Sequence, residues 1–130
     1  MEVLSSRVHV AARDFSGSRR FYEDTLGLRV YREFGVDGRV TGVVFFCGGG
    51  FLEVGAGDPD AAPPESLFLW LQVADLAAEH QRLVAAGVPF DEAPRRRSWG
   101  LVEAWLRDPD GVRIVLVEVP PDHPLRRRVG

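Results

Sequence analysis

Arg7 and His9 stand two residues apart in one short run near the start of the chain, and Glu53 lies in a second run of similar character. Brought to one pocket, these three could move protons without a metal. His9 or Glu53 would act as general base, and Arg7 would stabilise an oxyanion or enolate. A second group of residues suits binding better than reaction. All three tryptophans, Trp70, Trp99 and Trp105, fall in the second half of the chain, with Phe51 and Phe68 as further rings. Small-molecule pockets are typically apolar walls with a few polar groups that fix orientation. Arg7, His9, Glu53, Gln72 and Glu103 would be those groups. Aromatics also fill barrel floors and dimer interfaces, so a pure interaction module is the bland alternative.

The elements that must position these residues come in two matching series. Residues 7–12 read as a strand, and Asp14 then caps a helix that carries Phe21, Tyr22 and Leu26 and stops at Gly27. Strand-like runs follow at 28–34, 39–47 and 51–54, with turns at Asp37-Gly38 and at Gly48, Gly49 and Gly50. The Gly-, Ala-, Pro- and Asp-rich stretch 55–65 breaks all periodicity. The order then repeats: strand 67–73, cap Asp75, a helix through Leu76, Leu83 and Val84, stop at Gly87, and strands 88–90, 101–107 and 112–119. Two βαβββ modules are predicted. One helix covers only one face of such a sheet, so an α+β fold is expected in which the modules pair into a curved sheet cup with helices outside.

The composition sets limits on function. With 130 residues, 45% hydrophobic and 27% charged, the chain has the make-up of one globular domain. Its net charge of −3 offers phosphate backbones no general attraction, so a nucleic-acid partner is not expected. The basic clusters Arg95, Arg96, Arg97 and Arg126, Arg127, Arg128 lie beside prolines, in a loop and in the tail, and read as solvated charge. No apolar run is long enough to span a membrane and the start lacks a signal-peptide core, so no membrane partner and a cytoplasmic location are expected. Cys47, the only cysteine, can form no internal disulfide and reads as a small buried hydrophobe.

Several motifs in order carry a family resemblance. Arg13-Asp14, Ser18, Phe21-Tyr22, Leu26-Gly27-Leu28, Leu52-Glu53-Val54 and Asp108-Pro109-Asp110-Gly111 resemble the vicinal-oxygen-chelate superfamily, which includes glyoxalase I, bleomycin-resistance proteins and extradiol dioxygenases. The resemblance runs from Arg7 to Glu118. It implies a single domain with module one at 7–55, a linker at 56–65, module two at 66–119 and a tail at 120–130. It also implies four metal-ligand positions facing the cup. Two lie seven residues before each helix-opening aspartate, at Arg7 and Phe68, and the others fall at Glu53 and Val115. Only Glu53 can coordinate a metal, because a guanidinium offers no lone pair and Phe and Val have none. A divalent site usually needs three or more ligands, so neither metal nor cofactor is expected. His9 shares the face of Arg7 and becomes a ligand if the register shifts by two, which still gives only two. Arg7 either pairs with Glu53 in place of the cation or points away and leaves Glu53 solvated.

Alternation about the family positions turns Arg7, His9, Phe51 and Glu53 inward in module one. In module two it turns Phe68, Trp70, Gln72, Trp99, Leu101, Glu103 and Trp105 inward, with Val115 at the fourth ligand position. No catalytic residue is required by this reading, although His9 and Glu53 would be the ones if the chain were an enzyme. The resemblance implies a homodimer and a small-molecule ligand. The leading expectation is a protein that binds and sequesters an aromatic or amphipathic, antibiotic-like molecule. The alternatives are a metal-free or metal-dependent glyoxalase-type lyase or isomerase, or a dioxygenase.

Overall fold

Both helix starts are built alike, and that is the first sign of a repeat in three dimensions. Asp14 and Asp75 have extended backbones, and each carboxylate accepts a hydrogen bond from a backbone N–H three residues on, Gly17 at 3.3 Å and Ala78 at 3.0 Å. The side chains thus satisfy donors that the first helical turn leaves without partners. Helix α1 spans Phe15–Arg20 and continues into a π-helical turn over Phe21–Thr25; α2 spans Leu76–Ala85. Gly27 and Gly87 follow the two helices with φ of 82° and 87°, a left-handed conformation that ends a helix and that side chains resist.

The computed structural model describes residues 1–127. The chain forms two units, Met1–Pro63 and Pro64–Gly130, each with its own four-stranded mixed sheet. In the first unit the strands are β1 (Arg7–Ala12), β2 (Val30–Val36), β3 (Arg39–Cys47) and β4 (Gly50–Ala56), in spatial order β1-β4-β3-β2. In the second they are β5 (Phe68–Gln72), β6 (Phe90–Arg96), β7 (Val102–Arg107) and β8 (Arg113–Glu118), in order β5-β8-β7-β6. Each unit has one parallel pair, β1 with β4 and β5 with β8, and the remaining pairs are antiparallel. The two βαβββ modules of an α+β fold are therefore present with identical topology.

Alternation along the strands decides which face each helix covers. In the first unit Val10, Val43, Phe45, Leu52 and Val54 are buried, and Tyr22, fully buried, reaches from the π-helical turn to within 6.4 Å of the Phe45 ring. In the second, α2 lies against β6, β7 and β8, and Leu76 and Leu83 are buried along with Ala104, Leu106, Ile114 and Leu116. Val8 belongs to the same side as Val10 yet is half exposed. The Asp108-Pro109-Asp110-Gly111 turn is held by the buried Asp108 carboxylate, which accepts from the backbone N–H of Asp110 (2.9 Å) and Val112 (2.8 Å). That explains its aspartate without any catalytic role.

Three local expectations need correction. The strand expected at 88–90 is β6, running Phe90–Arg96, so Arg95 and Arg96 lie in a strand and not in a loop. Pro94 is tolerated because β6 is an edge strand whose pairing to β7 is already irregular between Glu92 and Arg95. The strand expected at 28–34 is shifted to Val30–Val36, with a bulge between Val30 and Arg32. Trp99 precedes β7, in a turn closed by the Gly100 N–H donating to the Arg97 carbonyl at 2.9 Å. Cys47 is partly buried, and burial pushes its thiol pKa up. The side chains of Arg126, Arg127 and Arg128 lie outside the described residues. No described helix is long and apolar enough to cross a membrane.

Candidate functional site

The face of each sheet turned away from its helix carries the candidate residues, and the two faces differ in chemistry. In the first unit, β1 and β4 run parallel with Arg7 opposite Phe51 and His9 opposite Glu53. Arg7 Nη1 donates to Glu53 Oε1 at 2.8 Å, and His9 Nε2 lies 3.2 Å from Glu53 Oε2. The carboxylate is the most enclosed of the three, with its side chain 14% exposed against 40% for Arg7 and 49% for His9. Of the two readings left open for Arg7, the ion pair is the one the geometry adopts. Close packing of His9 over β4 is possible because residue 55 is glycine; a Cβ there would lie 3.1 Å from His9 Nε2.

Beside this polar group lies an aromatic cluster. Phe51 stacks on Tyr31 with centroids 5.0 Å apart, and Phe46 completes the set at 5.1 Å from Tyr31 and 5.8 Å from Phe51. Tyr31 and Phe46 escaped the sequence reading. Phe46 could have been found by carrying the alternation of β4 across to β3, since it pairs with Phe51. Tyr31 could not, because the bulge beside it breaks the alternation.

The second unit presents rings and arginines. Phe68, Trp70 and Gln72 alternate along β5 and all are exposed, Phe68 at 47% and Trp70 at 45%. In register, Trp70 pairs with Val115 and Val115 with Trp105, so these three share one face. Val115 is buried with Leu101, Val117 and Val119, and Trp105 packs against that cluster. It serves as floor rather than as a contact surface. Phe68 meets Trp105 edge to face at 5.0 Å. Arg113, which the sequence reading overlooked, lies with its guanidinium 4.6 Å from the Trp105 ring centre and 5.8 Å from that of Phe68. Its position two residues before Val115 was the available signal.

At the other end of this face the carboxylate of Glu103, 8% exposed, accepts from Trp99 Nε1 at 2.9 Å and has Arg97 Nε at 3.5 Å. Arg97 also donates to Glu92 at 2.8 Å and lies 5.9 Å from the Trp99 ring centre. Arg97 is thus a structural partner and not the solvated charge expected of it. Trp99 is 58% exposed, and its carbonyl faces His123 Nε2 at 3.1 Å.

A divalent cation does not fit these donors. The first unit offers His9 and Glu53, the latter already engaged by Arg7, while the positions of the second that correspond to Arg7, His9 and Glu53 hold Phe68, Trp70 and Val115, none of which can coordinate a metal. Among the described residues no group of three or more His, Cys, Asp or Glu side chains is gathered for a metal. The arrangement can hold a flat ring against indole and phenyl surfaces, and it can place a cation or a carboxylate against a ligand's polar groups.

Comparisons with known proteins agree with this architecture. The chain resembles a bleomycin resistance determinant encoded on the transposon Tn5, with 26% identity, a TM-score of 0.68, and coverage of 90% of this chain and 98% of that one. A glyoxalase/bleomycin resistance protein/dioxygenase superfamily member from Sphaerobacter thermophilus shares 23% identity at a TM-score of 0.71, covering 90% and 98%. A lactoylglutathione lyase from Agrobacterium tumefaciens shares 19% at 0.68, covering 91% and 94%. At those last two identities the likeness speaks for the fold alone. A search of curated proteins gives no match. The family model for the Glyoxalase/Bleomycin resistance protein/Dioxygenase superfamily matches residues 5–116, nearly the whole of both modules, and the chain belongs to that superfamily.

Proposed function

We propose that the protein binds and sequesters a small planar aromatic or amphipathic molecule in the cytoplasm, as a homodimer and without turnover. The observation that carries this reading is the open face of the second unit, where Trp70 and Phe68 stand about half exposed beside Trp105. Leaving large rings in water is unfavourable by roughly 25 cal/mol per Å² of apolar surface, which a ligand or a partner chain would recover. The similarity to a bleomycin resistance determinant supports a binding role. A second reading has its own support in the first unit. Glu53 is in reach of both Arg7 and His9, which suits a metal-free lyase or isomerase with His9 or Glu53 as base. Two contacts on the Glu53 carboxylate weigh against it as a free base.

Native mass spectrometry of freshly purified protein tests the two together, because it reports chain number and any carried molecule. An unaltered aromatic ligand on a dimer supports sequestration. A carried or added compound converted at a rate that falls in His9→Ala or Glu53→Gln overturns it in favour of the enzyme.

A further inference from the structure

We infer that the open face of the second unit selects planar aromatic anions, with Arg113 as the residue that receives the carboxylate or sulfonate. The inference rests on reading that face as a ligand site. The carboxylates on or beside this face are engaged: Glu103 by Trp99 and Arg97, Glu92 by Arg97, and Asp91 and Glu65 by Arg107 at 3.1 and 3.5 Å. Arg113 is different. Among the described residues its guanidinium makes one hydrogen bond, to the Glu65 backbone carbonyl at 3.4 Å, and no carboxylate lies within ion-pair distance of it. Arg95, opposite Glu103 in the β6–β7 register, likewise has no ion pair among the described residues. The chain carries a net charge of −3, yet this face has cations to spare.

The geometry of Arg113 then says what would answer its charge. A guanidinium beside an indole keeps the attraction of its flat face while its in-plane N–H groups remain free to donate. Those donors match a carboxylate or sulfonate, which can accept two in parallel. Arg113 and Val115 are alternate residues of β8, roughly 7 Å apart along the strand. Trp70 and Trp105 flank Val115 in register. Phe68 lies opposite Arg113 in register and is exposed, as is Trp70, so an acid group seated on Arg113 directs an attached ring system of one or two rings onto Phe68 and Trp70, with Trp105 as the floor beside them. A cationic ring would meet an uncompensated guanidinium there.

Calorimetric titration with 2-naphthoate, 2-naphthamide and 2-naphthylmethylammonium tests this, since the three share one ring system and differ in charge. The naphthoate is expected to bind about tenfold more tightly than the amide, as one charge-assisted contact allows, and the ammonium more weakly still. In Arg113→Met the naphthoate-to-amide ratio should fall to about one, whatever the absolute affinities. In Arg113→Lys, which keeps the charge and guards against a folding artefact, part of the preference should survive. Equal affinity for all three probes, or a ratio unmoved in Arg113→Met, overturns the inference while leaving aromatic sequestration standing. If none of the three binds, both readings fail. Loss of naphthoate binding as sedimentation shows chains associating would mean that a second copy occupies the face, which also overturns it.

Discussion

His9 faces Glu53 directly across the parallel β1–β4 pair, while Arg7, one alternate residue earlier, reaches along the sheet to the other oxygen of the same carboxylate. Both partners are well exposed, so water screens the attraction. Arg7→Ala is expected to cost about 1 kcal/mol of stability or less, because His9 still meets the carboxylate and exposed ion pairs contribute little. Urea unfolding checks it. A loss above about 3 kcal/mol would show that Glu53 depends on Arg7 as a buried charge does.

Trp99 and Glu103 form the better-sheltered contact. Trp99→Phe removes the indole donor and leaves the enclosed Glu103 carboxylate with Arg97 at 3.5 Å. The expected loss is about 1–2 kcal/mol, read as a lowered Tm. Trp99→Phe with Glu103→Gln should cost less than the sum of the two single changes, because the same contact is lost in each.

The two strand tryptophans should separate binding from folding. Trp70 is exposed, so Trp70→Ala should weaken aromatic ligands strongly and change the unfolding midpoint little. Trp105 packs on the Leu101, Val115, Val117 and Val119 cluster and meets Phe68 and Arg113, so Trp105→Ala should cost roughly 2–4 kcal/mol as well as affinity. Intrinsic fluorescence titration with parallel thermal melts distinguishes them. Equal stability losses in the two variants would contradict this division.

Cys47 gives a pH-dependent prediction. Burial raises its thiol pKa in the folded state, so the fold favours the protonated form. The associated stability is fully present below the unfolded thiol's pKa and is lost as pH rises through the folded value. Alkylation by iodoacetamide, which requires the thiolate, should be slower in native than in urea-unfolded protein at slightly alkaline pH, with the gap closing as pH increases. A native rate equal to or above the unfolded one would contradict it.

Much of the fold was legible because its signals are local. Asp14 and Asp75 as caps, Gly27 and Gly87 as stops, and alternation in residues 67–73 each need only a few neighbours to make sense. Irregular pairing was less readable. Nothing in 90–96 announces that Pro94 can sit within β6, because that depends on β6 being an edge strand. Tyr31 was lost to a bulge, and Arg113 looked like an ordinary strand-end arginine until the rings of Phe68 and Trp105 were placed around it. The Arg7–Glu53 contact was foreseeable as one of two outcomes, but choosing between them required the register of β1 on β4.

The repeated topology has a consequence for how this chain can change over generations. Both copies keep the helix side of the sheet apolar, Val10 and Val54 in one and Leu106 and Ile114 in the other, since any lapse there costs the fold itself. The opposite sides carry unlike chemistries, a carboxylate held by arginine and histidine in one copy and indoles with a guanidinium beside them in the other. Because each copy closes its own ladder of strands, a mutation that recasts one lining leaves the hydrogen bonds of the other untouched. A new specificity can therefore be reached by altering half of the inheritance while the other half stays as it was.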